Sequence, residues 1–286
     1  MQPIPRAQKD LPEADFGRLL DLCLSVPWLR RKQQALLELW HTCTDETKKQ
    51  LVLELLQRFE MVDSNRMDQL CQRVVEQIVG VWGFQAANTT IVAAAKGSNA
   101  DGSQAFLQAL KNKFPQTDQW NETHFCNTLA SLSYKDGWNY VLVDDFIGTG
   151  RTIRKRAEVV FDRLKAEGKK DCSVGAVALA GMHPAQQCLS GLEARLFCPL
   201  WLKRGIRDHV VGPALTQANK DMGELEALLA PAFKQEQLSK YSFGHGKAEA
   251  LFSLEPYNVP NSVFPLFWWP QYLNGDQRQT LFRRLL

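Results

Sequence analysis

The chain has 286 residues, of which 45% are hydrophobic and 23% charged, as in an ordinary globular protein. Its 34 Lys and Arg residues against 31 Asp and Glu residues give a formal net charge of +3, too small for a dedicated nucleic-acid binder. No apolar run approaches the ~18 residues that a membrane span needs, and the polar, proline-containing start predicts no signal peptide. The seven cysteines are scattered without a CxxC pair, so we expect reduced thiols, no metal site and a cytoplasmic protein.

The first part of the chain has the pattern of helices. Amphipathic segments with apolar residues at helical spacing lie in residues 15–43, 44–62 and 65–83. Pro27 interrupts the first segment, Thr44 or Asp45 is the N-cap candidate of the second, and Gly83 ends the third. We therefore predict an N-terminal helical segment over residues 1–83 and a second domain over residues 84–286. The segment either completes the core of that domain or offers a surface to a partner.

After Gly83 the pattern changes to short apolar strands that alternate with helices. The predicted strands are residues 89–95, 138–145, 173–181 and 194–201. The predicted helices among them are residues 103–114 and 152–168. This alternation favours an α/β fold with a mostly parallel sheet and flanking helices. In such sheets, ligands bind beyond the carboxyl ends of the strands.

The most informative stretch is YVLVDDFIGTGRT, residues 140–152. Its apolar run ends in Asp144 and Asp145, which we place at the tip of a buried strand. The tight loop that follows, before a helix from about Ile153, consists of Gly148, Thr149, Gly150, Arg151 and Thr152. Loop amides, hydroxyls and the positive end of a helix dipole form a cradle for a phosphate monoester. Because carboxylates accept hydrogen bonds from hydroxyls, the acid pair suits a vicinal diol, and the whole stretch suits a ribose 5-phosphate.

This stretch resembles the binding signature of the type I phosphoribosyltransferases, in which an apolar strand, two acids and two apolar residues precede a small-residue loop. Two residues depart from the signature: Phe146 is bulkier than the usual aliphatic residue, and Gly148 replaces a usual Ser, Thr, Ala or Val. The resemblance implies that Asp144 and Asp145 are the catalytic pair and hold the ribose 2- and 3-hydroxyls, while residues 148–152 wrap the 5-phosphate. It also implies Mg²⁺, carried by the substrate's pyrophosphate and ribose oxygens and not by protein ligands. A strand–turn–helix with a solvated acid pair is the alternative.

Two other segments occupy positions where this family has functional loops. Lys96 and Gly97 follow the strand at residues 89–95, where the resemblance implies a loop whose backbone binds pyrophosphate. Gly permits close backbone approach and Lys adds positive charge, although a solvent-exposed turn is the alternative. Residues 115–137 occupy the position of the family's mobile catalytic loop, yet they contain no basic or Ser-Tyr signature that matches it.

The run FGHGKAEALFSLEPYNVPNSVFPLFWWP, residues 243–270, resembles a divergent branch of phosphoribosyltransferase-like proteins from bacterial conflict and anti-phage systems, some associated with retrons. The matching residues are Asn258, Pro260, Asn261, Phe267 and Trp268, and the resemblance extends from about Asp45 to Trp269. Trp268 and Trp269 either stack on a base or form a buried aromatic plug. His245 and Lys247 lie in a predicted turn and are candidates for the active site.

These resemblances imply a ribose-phosphate or nucleotide ligand, with phosphoribosyl pyrophosphate as one form of it. We expect a toxin-like effector of a bacterial anti-phage defence system, which acts on a nucleotide or base and is restrained by a protein or nucleoprotein partner. One alternative is an orthodox phosphoribosyltransferase of nucleotide metabolism. The other is a catalytically silent module that senses a nucleotide.

Overall fold

A computed structural model of the chain describes residues 11–95, 102–255 and 257–284. Its helices, in chain order, are α1 (Glu13–Ser25), α2 (Gln33–Thr42), α3 (Glu46–Gln57), α4 (Ser64–Glu76), α5 (Gly102–Lys111), α6 (Asp118–Asn121), α7 (Arg151–Ala166), α8 (His183–Leu189) and α9 (Gly212–Ala227). Its strands are β1 (Glu60–Val62), β2 (Thr89–Ala93), β3 (His124–Cys126), β4 (Asn139–Ile147), β5 (Ser173–Met182), β6 (Arg195–Phe197), β7 (Trp201–Leu202), β8 (Ala232–Phe233), β9 (Glu236–Gln237) and β10 (Phe252–Leu254). None of the described helices is long and apolar enough to cross a membrane.

A parallel sheet forms the centre of the fold. Its strand order is β3-β2-β4-β5-β6, and β7 also pairs with β5. The strand pairs that the structure describes in this sheet are all parallel. The α/β fold with a mostly parallel sheet, flanking helices and an N-terminal helical segment is therefore confirmed. Because parallel strands end at the same edge, the loops after β2 and β4 begin at that edge.

Side chains of the central strands alternate between two cores, one on each face of the sheet. In β4, Val141 and Val143 pack with residues of α4 and α5, whereas Tyr140 and Leu142 pack with residues of α7 and α8. All four side chains are fully buried. Burial of one such aliphatic side chain contributes about 1.5–3 kcal/mol, so this apolar run fixes the register of the strand that carries the acid pair.

A third core joins the N-terminal helices to the C-terminal part of the chain. Trp28 packs against Phe59 and Phe282, with ring centroids 5.5 and 5.3 Å away. Trp268 and Trp269 lie in the same core and are 1% and 0% exposed. The aromatic-plug interpretation of these two tryptophans is therefore confirmed, and their stacking on a ligand base is wrong. This core contains residues from both sides of residue 83, and the division of the chain there stays a prediction.

The bounds of several strands and helices differ from those predicted from the sequence. β4 continues through Ile147, so the acid pair lies inside the strand instead of at its tip. α7 begins at Arg151 and not at Ile153, because Gly150 adopts a left-handed conformation from which the chain enters the helix directly. The single strand predicted over residues 194–201 is wrong. The structure has β6 and β7 there, separated at a proline that cannot donate a backbone hydrogen bond.

Residues 115–137 differ from the mobile loop that the family resemblance implies. They contain α6 and β3, and β3 pairs with β2 at the edge of the sheet. Trp120 of α6 and Phe125 of β3 both pack on Phe114, with ring centroids 4.7 and 5.6 Å from it. These aromatic contacts bind the segment to the edge of the sheet.

Candidate functional site

The acid pair of β4 is the centre of the candidate site. Asp144 and Asp145 are half-buried, between the apolar run of the strand and the loop that follows it. The backbone N–H of Asp145 donates a hydrogen bond to Oδ1 of Asp144 at 3.1 Å. Asp144 also lies in register with Ala178 of β5. The two carboxylates are thus positioned by the central strands of the sheet, which hold a site more firmly than a loop does.

Asp145 lies against the N-terminal end of α5. A methyl group at Gly102, the first residue of that helix, would overlap the Asp145 carboxylate, and even the more distant Oδ1 is 2.7 Å from the methyl position. The Gly102 backbone therefore approaches the carboxylate as only a residue without a side chain can. The positive end of a helix dipole stabilises such a carboxylate by about 0.3–1 kcal/mol. Gly102 could not be identified from the sequence, because its only local signal is that of a turn.

A tight loop and a helix start follow the acid pair. The loop consists of Gly148, Thr149 and Gly150, and the first residues of α7 are Arg151 and Thr152. Gly150 has a φ of 80°, and a methyl group there would also lie 3.1 Å from the carbonyl oxygen of Ala185 in α8. Both the conformation and the contact therefore require glycine. The first N–H groups of a helix have no partner within it, so this loop and the start of α7 can bind an anion.

The two departures from the phosphoribosyltransferase signature have structural causes. Phe146 stacks on Phe252 of β10, with ring centroids 4.9 Å apart and an angle of 17° between the rings. A side chain at Gly148 would overlap Oγ of Ser262, whose Cβ is 3.3 Å from the Cβ position at residue 148. The C-terminal part of the chain thus supplies the ring that favours Phe at 146 and fills the space that a larger residue at 148 would need.

The C-terminal turn, residues 243–249, lies directly on this loop. A methyl group at Gly246 would be 2.6 Å from Cγ2 of Thr149, and Gly246 has a φ of 68°. The backbone N–H of His245 donates to the carbonyl of Asn261 at 2.8 Å. The glycine spacing predicted a turn here, but nothing in the sequence indicated that it contacts the loop after β4.

Arg284 approaches the site from the C-terminal end of the chain. Its Nη1 donates to the carbonyl oxygen of Val259 at 2.7 Å, and its guanidinium lies 5.7 Å from the ring centre of Trp268. Burial lowers the pKa of Arg284, and the charge of Asp145 is among the influences that act in the opposite direction. The charge of Asp145 thus acts on Arg284, which no motif marks in the sequence.

Three further predictions concern the pyrophosphate-binding residues, a metal site and the cysteines. Lys96 and Gly97, the predicted pyrophosphate-binding residues, lie outside the described residues. Within the described part of the chain, no group of three or more His, Cys, Asp or Glu side chains could hold a metal ion. Burial raises the pKa of Cys43, Cys71 and Cys198 to about 12, so these thiols stay protonated at neutral pH.

A large cleft lies elsewhere, between the N-terminal helices, β10 and the C-terminal residues. Its volume is about 970 Å³, and its walls carry Arg30, Arg31, Lys32 and Arg283. It contains none of the predicted site residues. The candidate site is therefore distinct from this cleft and is defined by its carboxylates and by the anion-binding loop.

One known family and several solved structures resemble this chain. The model of the PRTase-CE family matches residues 41–284. No curated protein matches the chain. The solved structures of similar fold include orotate phosphoribosyltransferase from Mycobacterium tuberculosis, at 15% identity and a TM-score of 0.34, over 53% of this chain and 77% of that one. They also include orotate phosphoribosyltransferase from Aeropyrum pernix, at 20% identity and a TM-score of 0.30, over 46% of this chain and 69% of that one. A third is adenine phosphoribosyltransferase from Thermoanaerobacter pseudethanolicus, at 13% identity and a TM-score of 0.32, over 49% of this chain and 82% of that one.

Proposed function

Since the chain belongs to the PRTase-CE family, we propose that residues 144–152 bind a ribose 5-phosphate, either in phosphoribosyl pyrophosphate or in a nucleotide. The observation that carries this proposal is the continuous run from the acid pair through the loop to the start of α7. Asp144 and Asp145 accept hydrogen bonds from the ribose hydroxyls, and the amides of residues 148–152 donate to the 5-phosphate. Lys96 and Gly97 are proposed to bind pyrophosphate.

The proposed chemistry takes place at C1 of the ribose. Cleavage of the bond to C1 passes through a transition state in which positive charge develops on the sugar ring. Carboxylates fixed at the neighbouring hydroxyls stabilise this charge, and they do so more strongly in a half-buried site than in water. Mg²⁺ would be carried by the pyrophosphate and ribose oxygens and not by protein ligands, and there it would neutralise the leaving group, while the two carboxylates hold the ribose hydroxyls.

We also propose that the chain is an effector of a bacterial anti-phage defence system, released by a protein or nucleoprotein partner to act on a cytoplasmic nucleotide or base. The resemblance of residues 243–270 to the retron-associated branch supports this role. The position of residues 115–137 at the edge of the sheet favours it over an orthodox transferase, which would use a mobile loop there. The same observation favours the second candidate, a catalytically silent nucleotide sensor.

A survey of nucleotides tests these roles. Extracts of cells that express the wild type are compared, with and without phage infection, with extracts of cells that express the Asp144→Asn, Asp145→Asn double variant. We expect a nucleotide pool to fall, or a modified nucleotide to accumulate, with the wild type alone. Unchanged pools together with ribose-phosphate binding by the purified protein would favour the sensor. Equal effects of wild type and double variant would contradict the proposed site.

A further inference from the structure

We propose that the C-terminal turn adds a second anion subsite to the loop after β4, so that the site takes a nucleoside 5′-triphosphate. The inference rests on the proposed function, because the loop itself is assigned to the phosphate that is bonded to the ribose. His245 and Lys247 form the added subsite and contact the outer phosphates. The ligand class is thus a nucleotide with a chain of phosphates on its 5′ carbon, and its base is left open.

The contact between Gly246 and Thr149 places this subsite. Because Gly246 lies directly against Thr149, its two neighbours, His245 and Lys247, flank the loop. Both side chains are exposed, and neither forms a hydrogen bond or ion pair with any residue that the structure describes. Arg151, also exposed, begins α7 on the same loop. Loop amides, the helix start and one arginine suffice for a monophosphate, so the two additional basic side chains match additional phosphates.

The backbone of the turn is strained at three residues, one of which is Lys247. Phe243, Lys247 and Glu249 have φ angles of 58°, 55° and 50°, although residues with a side chain rarely adopt this left-handed conformation. Such residues cluster at functional sites, where the surrounding structure imposes the conformation, although Asp171 and Lys234 adopt it elsewhere in this chain. Glycine would fit position 247 with less strain, but it could not supply a charge next to Thr149.

Two buried carboxylates hold the turn at its ends. Glu226 of α9 accepts a hydrogen bond from the backbone N–H of Phe243 at 3.0 Å. Glu249, which is 0% exposed, accepts one from the N–H of Ile206 at 2.9 Å, and its Oε1 lies 2.9 Å from Nε of Arg207. The backbone that carries His245 and Lys247 is therefore fixed before a ligand arrives. A preorganised subsite of this kind loses less conformational entropy on binding.

Calorimetric titration with matched nucleotides tests the subsite. The purified full chain is titrated with AMP, ADP and ATP and with GMP, GDP and GTP at one Mg²⁺ concentration. We expect the better triphosphate to bind about tenfold more tightly than its monophosphate, and this ratio to decrease at high salt. Lys247→Gln and His245→Gln should each reduce the ratio about threefold or more. Lys165→Gln, which removes an exposed charge from the last turn of α7, at the other end of the helix from the loop, is the matched control and should keep the ratio.

Lys247→Gly separates the loss of the charge at position 247 from any loss of stability. It removes the charge but relieves the left-handed strain, so it should raise the melting temperature while it lowers the ratio. Equal affinities of wild type for mono- and triphosphates, or a ratio that Lys247→Gln and Lys247→Gly leave unchanged, would overturn the second subsite and leave the ribose 5-phosphate site standing. Failure of the wild type to bind any ribose phosphate would instead contradict the proposed function itself.

Discussion

Replacement of Gly102 by alanine tests whether Asp145 lies where the structure places it. The added methyl group would overlap the Asp145 carboxylate, so the carboxylate must move away from the ribose hydroxyl that it is proposed to hold. A hydrogen bond from a hydroxyl to a carboxylate contributes about 1.5–3 kcal/mol. Its loss should weaken the binding of phosphoribosyl pyrophosphate about 10- to 150-fold. Away from the carboxylate, alanine in a helix is more favourable than glycine by about 0.5–1 kcal/mol.

Calorimetry and thermal melting together separate the two effects. Gly223→Ala is the matched control, because Gly223 also lies in a helix, α9, but has no atom within 4 Å of the position that a methyl group would take. We expect Gly223→Ala to keep the affinity, and Gly102→Ala to lose it while still melting cooperatively. Gly102→Ala with the affinity of the wild type would refute the placement of Asp145 at the ribose.

Three further predictions concern charge, pH and the N-terminal helices. Arg151→Gln should weaken ribose-phosphate binding about fivefold in a calorimetric titration, as expected for an exposed ion pair of about 1 kcal/mol. Lys165→Gln, at the other end of α7, should not weaken it, and the reverse ranking would contradict the site. Burial raises the pKa of Glu226 from 4.5 to about 7, so the folded state binds this proton more tightly than the unfolded chain does. The resulting stability is complete below pH 4.5 and is lost as the pH rises to about 7, by roughly 3 kcal/mol in all. In urea unfolding, Glu226→Gln should therefore gain stability relative to the wild type between pH 4.5 and pH 8, and a constant difference would contradict this. Deletion of residues 1–43 removes Trp28 from its contacts with the C-terminal rings and should abolish the cooperative melt; a truncated protein that melts cooperatively would show that these helices are dispensable to the core.

The sequence contains most of what is needed to predict the sheet and the loop after β4. Val141 and Val143 belong to a continuous apolar run, which a parallel strand buried on both faces requires. The residues that follow the run are contiguous in the chain, so their chemistry could be interpreted without knowledge of any distant contact. Gly150 was predicted to lie in a tight turn for the same reason, since its conformation depends on its immediate neighbours.

Contacts between distant parts of the chain could not be predicted in this way. In the sequence, Gly148 is only a departure from a family signature. The structure gives the reason for glycine at this position, because Ser262 occupies the space that a side chain would need. The parallel pairing of β1 with β10 joins three-residue strands that are too short for a periodic pattern. The sequence alone does not show whether Trp268 and Trp269 stack on a base or fill a core, because aromatic residues occur in ligand sites and in protein cores alike. Each of these features depends on packing between residues that are far apart in the sequence.

The central claim is that Asp144, Asp145 and the loop after them form one ribose 5-phosphate site. Its most direct test is the calorimetric titration of phosphoribosyl pyrophosphate and nucleoside monophosphates into the wild type and the Asp144→Asn, Asp145→Asn double variant. The substitutions keep the size of both side chains but remove two charge-assisted hydrogen bonds, each of about 1.5–3 kcal/mol. We predict binding by the wild type and a loss of at least about a hundredfold in the double variant, with an unchanged cooperative melt. Unchanged affinity of the double variant for every ribose phosphate that the wild type binds would contradict the claim.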